Sequence, residues 1–207
     1  MLGTATAPAA PPRSPIERLL SLSAHGTLRR RRFIGPAVSL SAAVALAATL
    51  SACSGDEPPR KAYTVPASLC GITVEPALVK AVLPGGDSLT SATQKPNGGT
   101  IRCNLYVDDK LVLSLAQAWW SEGKATAAVA PAYPGTKDGT MSEDERFIYS
   151  GQAGVGRTLP SCKTPEHPEQ DLYTTVETRD SGIDDPEAIE KLLVAYTKAV
   201  EGSAACR

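Results

Sequence analysis

Residues 101–120 read IRCNLYVDDKLVLSLAQAWW, and this stretch decides the fold. Ile101, Cys103, Leu105 and Val107 alternate with Arg102, Asn104 and Tyr106. A period of two is the mark of a strand with one face on a core. Asp108-Asp109-Lys110 turns the chain, and Leu111, Leu113 and Leu115 then alternate against Val112, Ser114 and Ala116. Two such runs around a short polar turn predict an antiparallel hairpin.

Working outward from the hairpin, the C-terminal segment predicts a helix. Asp185 is placed to cap it, with Pro186 at the first helical position. Ile189, Leu192, Leu193, Tyr196 and Val200 follow as one apolar stripe, and Gly202 ends it. Glu187, Glu190, Lys191, Lys198 and Glu201 form the opposite, solvated face. On the other side of the hairpin, Thr73 to Leu83 predicts a first helix capped by Thr73 and stopped by Pro84-Gly85-Gly86. The Thr/Gly/Asn-rich residues 87–100 read as a loop. A short helix fits 121–130, a Pro/Gly loop 131–142 and a strand Phe147–Tyr149. Gly151 to Gly156 reads as a turn before a short strand at 157–160. A polar loop spans 163–169, and LYTTVET, residues 172–178, is a strand. Helices at the two ends of a run of strands predict an α+β domain, with N- and C-terminal helices packed on a mainly antiparallel sheet.

The chain has 207 residues and a net charge of −1, which hides an asymmetry. Residues 1–52 carry six Arg against Glu17, a net of +5; residues 53–207 carry 15 basic against 21 acidic residues, a net of −6. The acidic part lacks the basic footprint of a nucleic-acid binder. At the N-terminus, RRRRFIGPAVSLSAAVALAATLSAC, residues 29–53, places four arginines before an apolar run and then small residues and a cysteine. That is the order of a secretory signal. Leu50-Ser51-Ala52-Cys53 resembles the lipobox of bacterial lipoproteins, which implies cleavage before Cys53 and diacylglyceryl modification of its sulfur. Two acyl chains suffice for a stable anchor. Arg30-Arg31-Arg32-Phe33-Ile34 resembles a twin-arginine export motif, and four arginines in a row equally make an ordinary positive n-region. The expected organisation is a signal over 1–52, a lipidated tether over 53–66 and one extracytoplasmic domain over 67–207.

With Cys53 assigned to lipid, Cys70, Cys103, Cys162 and Cys206 remain. An even number in an exported chain reads as two disulfides, for which three pairings exist. The pairing Cys70–Cys103 and Cys162–Cys206 ties each predicted helix end to a nearby strand. A four-thiolate zinc site is the rival, but no C-x-x-C spacing is present.

Leu69-Cys70-Gly71-Ile72 leading to a short helix that ends in Pro-Gly-Gly, followed by Arg102-Cys103-Asn104-Leu105-Tyr106, resembles small actinobacterial membrane lipoproteins of the DUF3558-type group. The resemblance spans roughly 67–120. It implies an envelope-anchored α+β domain and carries over no functional residue except the lipid cysteine.

Chemistry is sparse. His167, between Pro165 and Pro168, reads as an exposed loop histidine, and no G-x-S-x-G elbow occurs. Gly151, Gly154 and Gly156 have the spacing of part of a phosphate cradle but lie between strands. Asp180, Asp184, Asp185 and Glu187 could offer oxygens to Ca²⁺, although helix capping accounts for Asp185 and Glu187. Trp119-Trp120 is the one candidate ligand platform, against the ordinary reading of one Trp in the core and one over the sheet edge. No catalytic residue, metal set or cofactor is expected. The sequence thus points to a lipid-anchored protein on the outer face of the cell membrane that binds an envelope protein or small ligand. A carboxylate-dependent cell-wall hydrolase is the alternative.

Overall fold

The computed structural model describes residues 60–207; the signal, Cys53 and the rest of the segment up to residue 59 lie outside the described residues. The elements are β1 (Ser68–Leu69), β2 (Ile72–Thr73), α1 (Pro76–Ala81), β3 (Leu89–Asn97), β4 (Thr100–Val107), β5 (Lys110–Ser121), α2 (Thr126–Val129), β6 (Thr140–Met141), β7 (Phe147–Tyr149), β8 (Ala153–Arg157), β9 (Gln170–Thr178) and α3 (Pro186–Glu201). Single 3-10 turns lie at Ala130–Ala132, Pro134–Thr136 and Ala204–Cys206. Seven strands form one antiparallel sheet in the order β3-β4-β5-β9-β8-β7-β6, and β1 and β2 form a separate hairpin. The domain is α+β, and its two disulfides are Cys70–Cys103 and Cys162–Cys206.

The β4–β5 hairpin closes with Val107 opposite Lys110. Asp108 and Asp109 have φ of 48° and 64°, the positive pair that a two-residue type I′ turn needs. The Asp108 carboxylate accepts hydrogen bonds from the Asp87 and Ser88 backbone N–H groups and from Ser88 Oγ, which fixes the start of β3. These donors, led by the Ser88 N–H, hold the Asp108 pKa below its ordinary value. The register pairs Leu105 with Leu113 but Tyr106 with Leu111, so Val112 is an extra residue in a bulge. Val112 therefore joins Leu113 and Leu115 in the main core, and Leu111 does not.

One sheet face is covered by α3. Leu105, Leu113, Leu115, Leu172 and Val176 form a single core with Ile189, Leu192, Leu193, Tyr196 and Val200, each at most 2 % exposed. Full burial contributes roughly 1.5–3 kcal/mol per large apolar side chain. Asp185 caps α3 by accepting from the Ala188 N–H at 3.0 Å. Val79, Val82 and Leu83, from α1 and its end, enter the same core beside α3.

Several sequence expectations are corrected. Residues 87–100 are not a loop: β3 runs for nine residues along the sheet edge. Eight of them are exposed, so no alternating apolar signal exists to announce a strand; pairing with β4 makes it one. The first helix is shorter, because Ile72 and Thr73 belong to β2, and Glu75 precedes it without a side-chain cap. Of the glycines read as a turn, Gly154 and Gly156 lie in β8, which begins at Ala153, four residues before the expected strand. Glu201 is not solvated: it pairs with Arg146 at 2.5 Å and accepts from the Leu159 N–H at 2.8 Å. Tyr63 and Val65, expected in the tether, are buried in the core, and residues 60–62 hydrogen-bond to Gly86.

Cys70 sits in the β1–β2 turn at φ 51°, and its bridge fastens that hairpin to the middle of β4. The second bridge fastens the loop before β9 to the last 3-10 turn. The bridged residues are 33 and 44 apart in sequence, so each bridge stabilises by roughly 3–4 kcal/mol in the chain-entropy description.

Candidate functional site

The sheet face turned away from α3 divides into two parts. Over β7 and β8, the helical segment after residue 125 packs down, and Val129, Ala130, Ile148, Val155 and Tyr173 form a small second core with Trp120 and Tyr133 at its margin. The neighbouring part, on β4, β5 and β9, is polar. Across it Arg102 pairs with Ala116 and Ala116 with Thr175; one row further on, Asn104 pairs with Ser114 and Ser114 with Glu177. Side chains alternate between faces, so these six residues share the face opposite Leu105, Leu115 and Val176. The small side chains of Ser114, Ala116 and Ala118 lie buried on this face of β5, with Arg102 on the neighbouring strand and Trp120 and Tyr133 at the margin of the second core.

Polar atoms on this face lack partners. Arg102 Nε and Thr175 Oγ1 are buried without a hydrogen bond, and the buried Trp120 Nε1 faces the Tyr133 hydroxyl. Thr175 is 0 % exposed, Asn104 4 % and Glu177 7 %. Arg102 makes no hydrogen bond or ion pair among the described residues, whereas Ser114 Oγ donates to Asn104 Oδ1 at 2.9 Å. Glu177 Oε1 accepts from Arg179 at 3.2 Å, a guanidinium half in solvent at the rim. A buried polar group left unpaired costs about 1–3 kcal/mol, more when charged.

Tyr133 links the charged ends. Burial pushes its pKa up; the Trp120 indole N–H beside it and Arg102 pull it down, and Glu177 pushes it up again. Its hydroxyl thus lies within the field of all three and meets the indole N–H. Arg102, Trp120 and Tyr133 are each half-buried, whereas Ser114, Ala116, Ala118 and Thr175 on the same face are buried. Lys124 Nζ covers the Trp120 ring 5.6 Å from its centroid.

The two tryptophans do not make one platform, because neighbours on a strand point to opposite faces. Trp119 stacks on His167, with ring centroids 4.6 Å apart and planes 17° apart, while Trp120 packs at the margin of the second core. His167 is half-buried, its Nδ1 2.5 Å from Gln170 Oε1. Nearby Lys163 donates to Glu122, Asp171 and the Gln170 carbonyl, a bridge that fixes the start of β9. Among the described residues no group of three or more His, Cys, Asp and Glu is arranged to hold a metal. No helix among them is long and apolar enough to cross a membrane. Asp185 is occupied as the cap of α3.

Sequence reasoning missed Arg102, Asn104, Thr175, Glu177 and Tyr133. A signal was present: polar residues interleave with the core residues of IRCNLY and LYTTVET, and Ser114, Ala116 and Ala118 face them across β5. Comparison with family models, curated proteins and solved structures finds no match to the chain.

Proposed function

We propose that this protein is a lipid-anchored extracytoplasmic binding protein of the bacterial cell envelope, which meets a small polar ligand or an envelope protein through the polar sheet face on β4, β5 and β9. One observation carries the binding reading: Arg102 and Thr175 hold unpaired buried polar atoms on the same sheet face, with Glu177 beside them. A ligand that pairs them removes their desolvation cost, and sites of this kind combine a mostly fixed wall with a few convergent polar groups. A hydrolase of the cell wall needs two carboxylates about the scissile bond. Among the described residues Glu177 is the single carboxylate in the two rows that hold Arg102, Ala116, Thr175, Asn104 and Ser114. The anchor rests on the lipobox at 50–53 and on two disulfides, which belong to an oxidising compartment.

Two measurements test the reading. The intact mass of protein extracted from membranes should correspond to a chain that begins at a diacylglyceryl-modified Cys53, and Cys53→Ala should leave a precursor or release the domain. A mature chain without lipid contradicts the anchor. In a thermal-shift screen of small polar compounds, hits should lose their effect in Arg102→Gln. A hit whose effect survives that change binds elsewhere.

A further inference from the structure

We infer that β3 is a pairing edge, on which a second copy of this chain lays its own β3 antiparallel and so extends the sheet. This goes beyond the binding reading and does not depend on it. The two edges of the seven-stranded sheet are built differently. β6, at one edge, is two residues long and offers little to pair with. β3, at the other, runs for nine residues, and eight of its side chains are exposed. From Leu89 to Gln94 it reads LTSATQ, without a charge or a proline. Lys95 and Pro96 follow, where the pairing with β4 shifts register between Gln94 and Asn97. Charges, prolines and bulges blunt an edge. Here they close the end of the strand and leave the run before them open.

The register shows which backbone groups the edge presents. The Asp108 N–H donates to the Ser88 carbonyl at 3.2 Å, and Leu89 then pairs with Val107 in the same register. Antiparallel pairs alternate, so Thr90, Ala92 and Gln94 turn their N–H and C=O groups to β4, and Leu89, Ser91 and Thr93 turn theirs outward. Among the described residues no strand lies beyond them. Pairing about a two-fold axis at Ala92 sets Ser91 of one copy against Thr93 of the other, so that the outward groups answer one another. Ala92 then meets its own counterpart at the closer, non-hydrogen-bonded spacing, where a methyl group fits. Thr90 faces Gln94, and Lys95 faces Leu89, so no like charges are opposed. A foreign peptide would be read through pockets for its alternate side chains. β3 is exposed on both faces and has no walls to make them, so recognition falls to the backbone and to short side chains that complement themselves. Strand pairing of this length lies at the low end of specific interfaces, so the dimer forms as concentration rises.

The test is sedimentation velocity of the full chain in density-matched detergent, with micelles in large excess, up to about 0.3 mM protein. The wild type should pass from monomer to dimer over the series. Ala92→Lys and Ala92→Glu each set like charges opposite one another at the axis and should each weaken the dimer roughly fivefold. An equimolar mixture of the two should restore it, because opposite charges then face each other. Thr93→Pro removes an outward N–H and none that β4 uses, and should weaken the dimer as well. Ala92 is exposed, so both charge variants should keep the wild-type melting temperature, which separates lost pairing from lost folding. A wild type that stays monomeric at every concentration overturns the inference. A dimer that Ala92→Lys leaves intact, or one that mixing the two charge variants fails to restore, overturns it too.

Discussion

A Cβ placed on Gly156 would stand 2.8 Å from the Thr197 hydroxyl oxygen and 2.9 Å from the Phe147 ring. β8 and α3 thus meet through the absent side chain, and Gly154 repeats the arrangement with Leu193 at 2.8 Å. Gly156→Ala should push α3 off the sheet and destabilise the domain by about 1–3 kcal/mol, the usual cost of overpacking. Denaturant melts check it. A variant as stable as the wild type would show that the helix seats on the sheet with space to spare.

The stripe of α3 gives a second prediction. Leu193 is 0 % exposed, so Leu193→Ala should cost roughly 2–5 kcal/mol. Lys191 is exposed and pairs with Glu187 one turn away, so Lys191→Ala should change stability by no more than about 0.5 kcal/mol. The reverse order in urea melts would make this stripe an exposed interface.

High pH gives a third. Tyr196 is 2 % exposed, and burial pushes its pKa up to about 12, with the Gln117 amide pulling the other way. In the unfolded chain a tyrosine ionises near pH 10. Above that pH the unfolded state binds fewer protons than the folded one, so stability falls as pH rises. The Tyr196 contribution is intact below about pH 10 and is lost at about 1.4 kcal/mol per pH unit up to about pH 12. Tyr196→Phe should flatten the curve in that window. Tyr63, Tyr133 and Tyr173 are also raised by burial, so some alkaline loss remains. An unchanged slope in the Phe variant would contradict the burial of that hydroxyl.

The elements that bury an apolar face at a regular period were legible: β4 and β5 at two, α3 at 3.6, with Asp185, Pro186 and Gly202 marking its ends. β3 was not, because an edge strand exposed on both faces has no reason to alternate. β8 was not, because glycines usually announce a turn, and here they admit α3. The polar sheet face was illegible for another reason. Arg102 and Glu177 stand at positions where a polar residue reads as the solvent side of a strand, and 75 residues separate them in sequence. Only the order β4-β5-β9, which brings a distant strand beside the hairpin, places them on one face.

The indole N–H resonances of the two tryptophans test the central claim most directly. In ¹⁵N-labelled full-length protein in detergent, each Trp side chain gives one such signal, and tryptophan-to-phenylalanine variants assign them. Titration with a compound that raises the melting temperature in the thermal-shift screen should move the Trp120 signal, whose indole lies beside Tyr133 on the polar face, and leave the Trp119 signal, stacked on His167 across the sheet, where it was. If Trp119 alone moves, or if both stay fixed while the ligand binds, the face that carries Arg102, Trp120 and Glu177 is not the binding site.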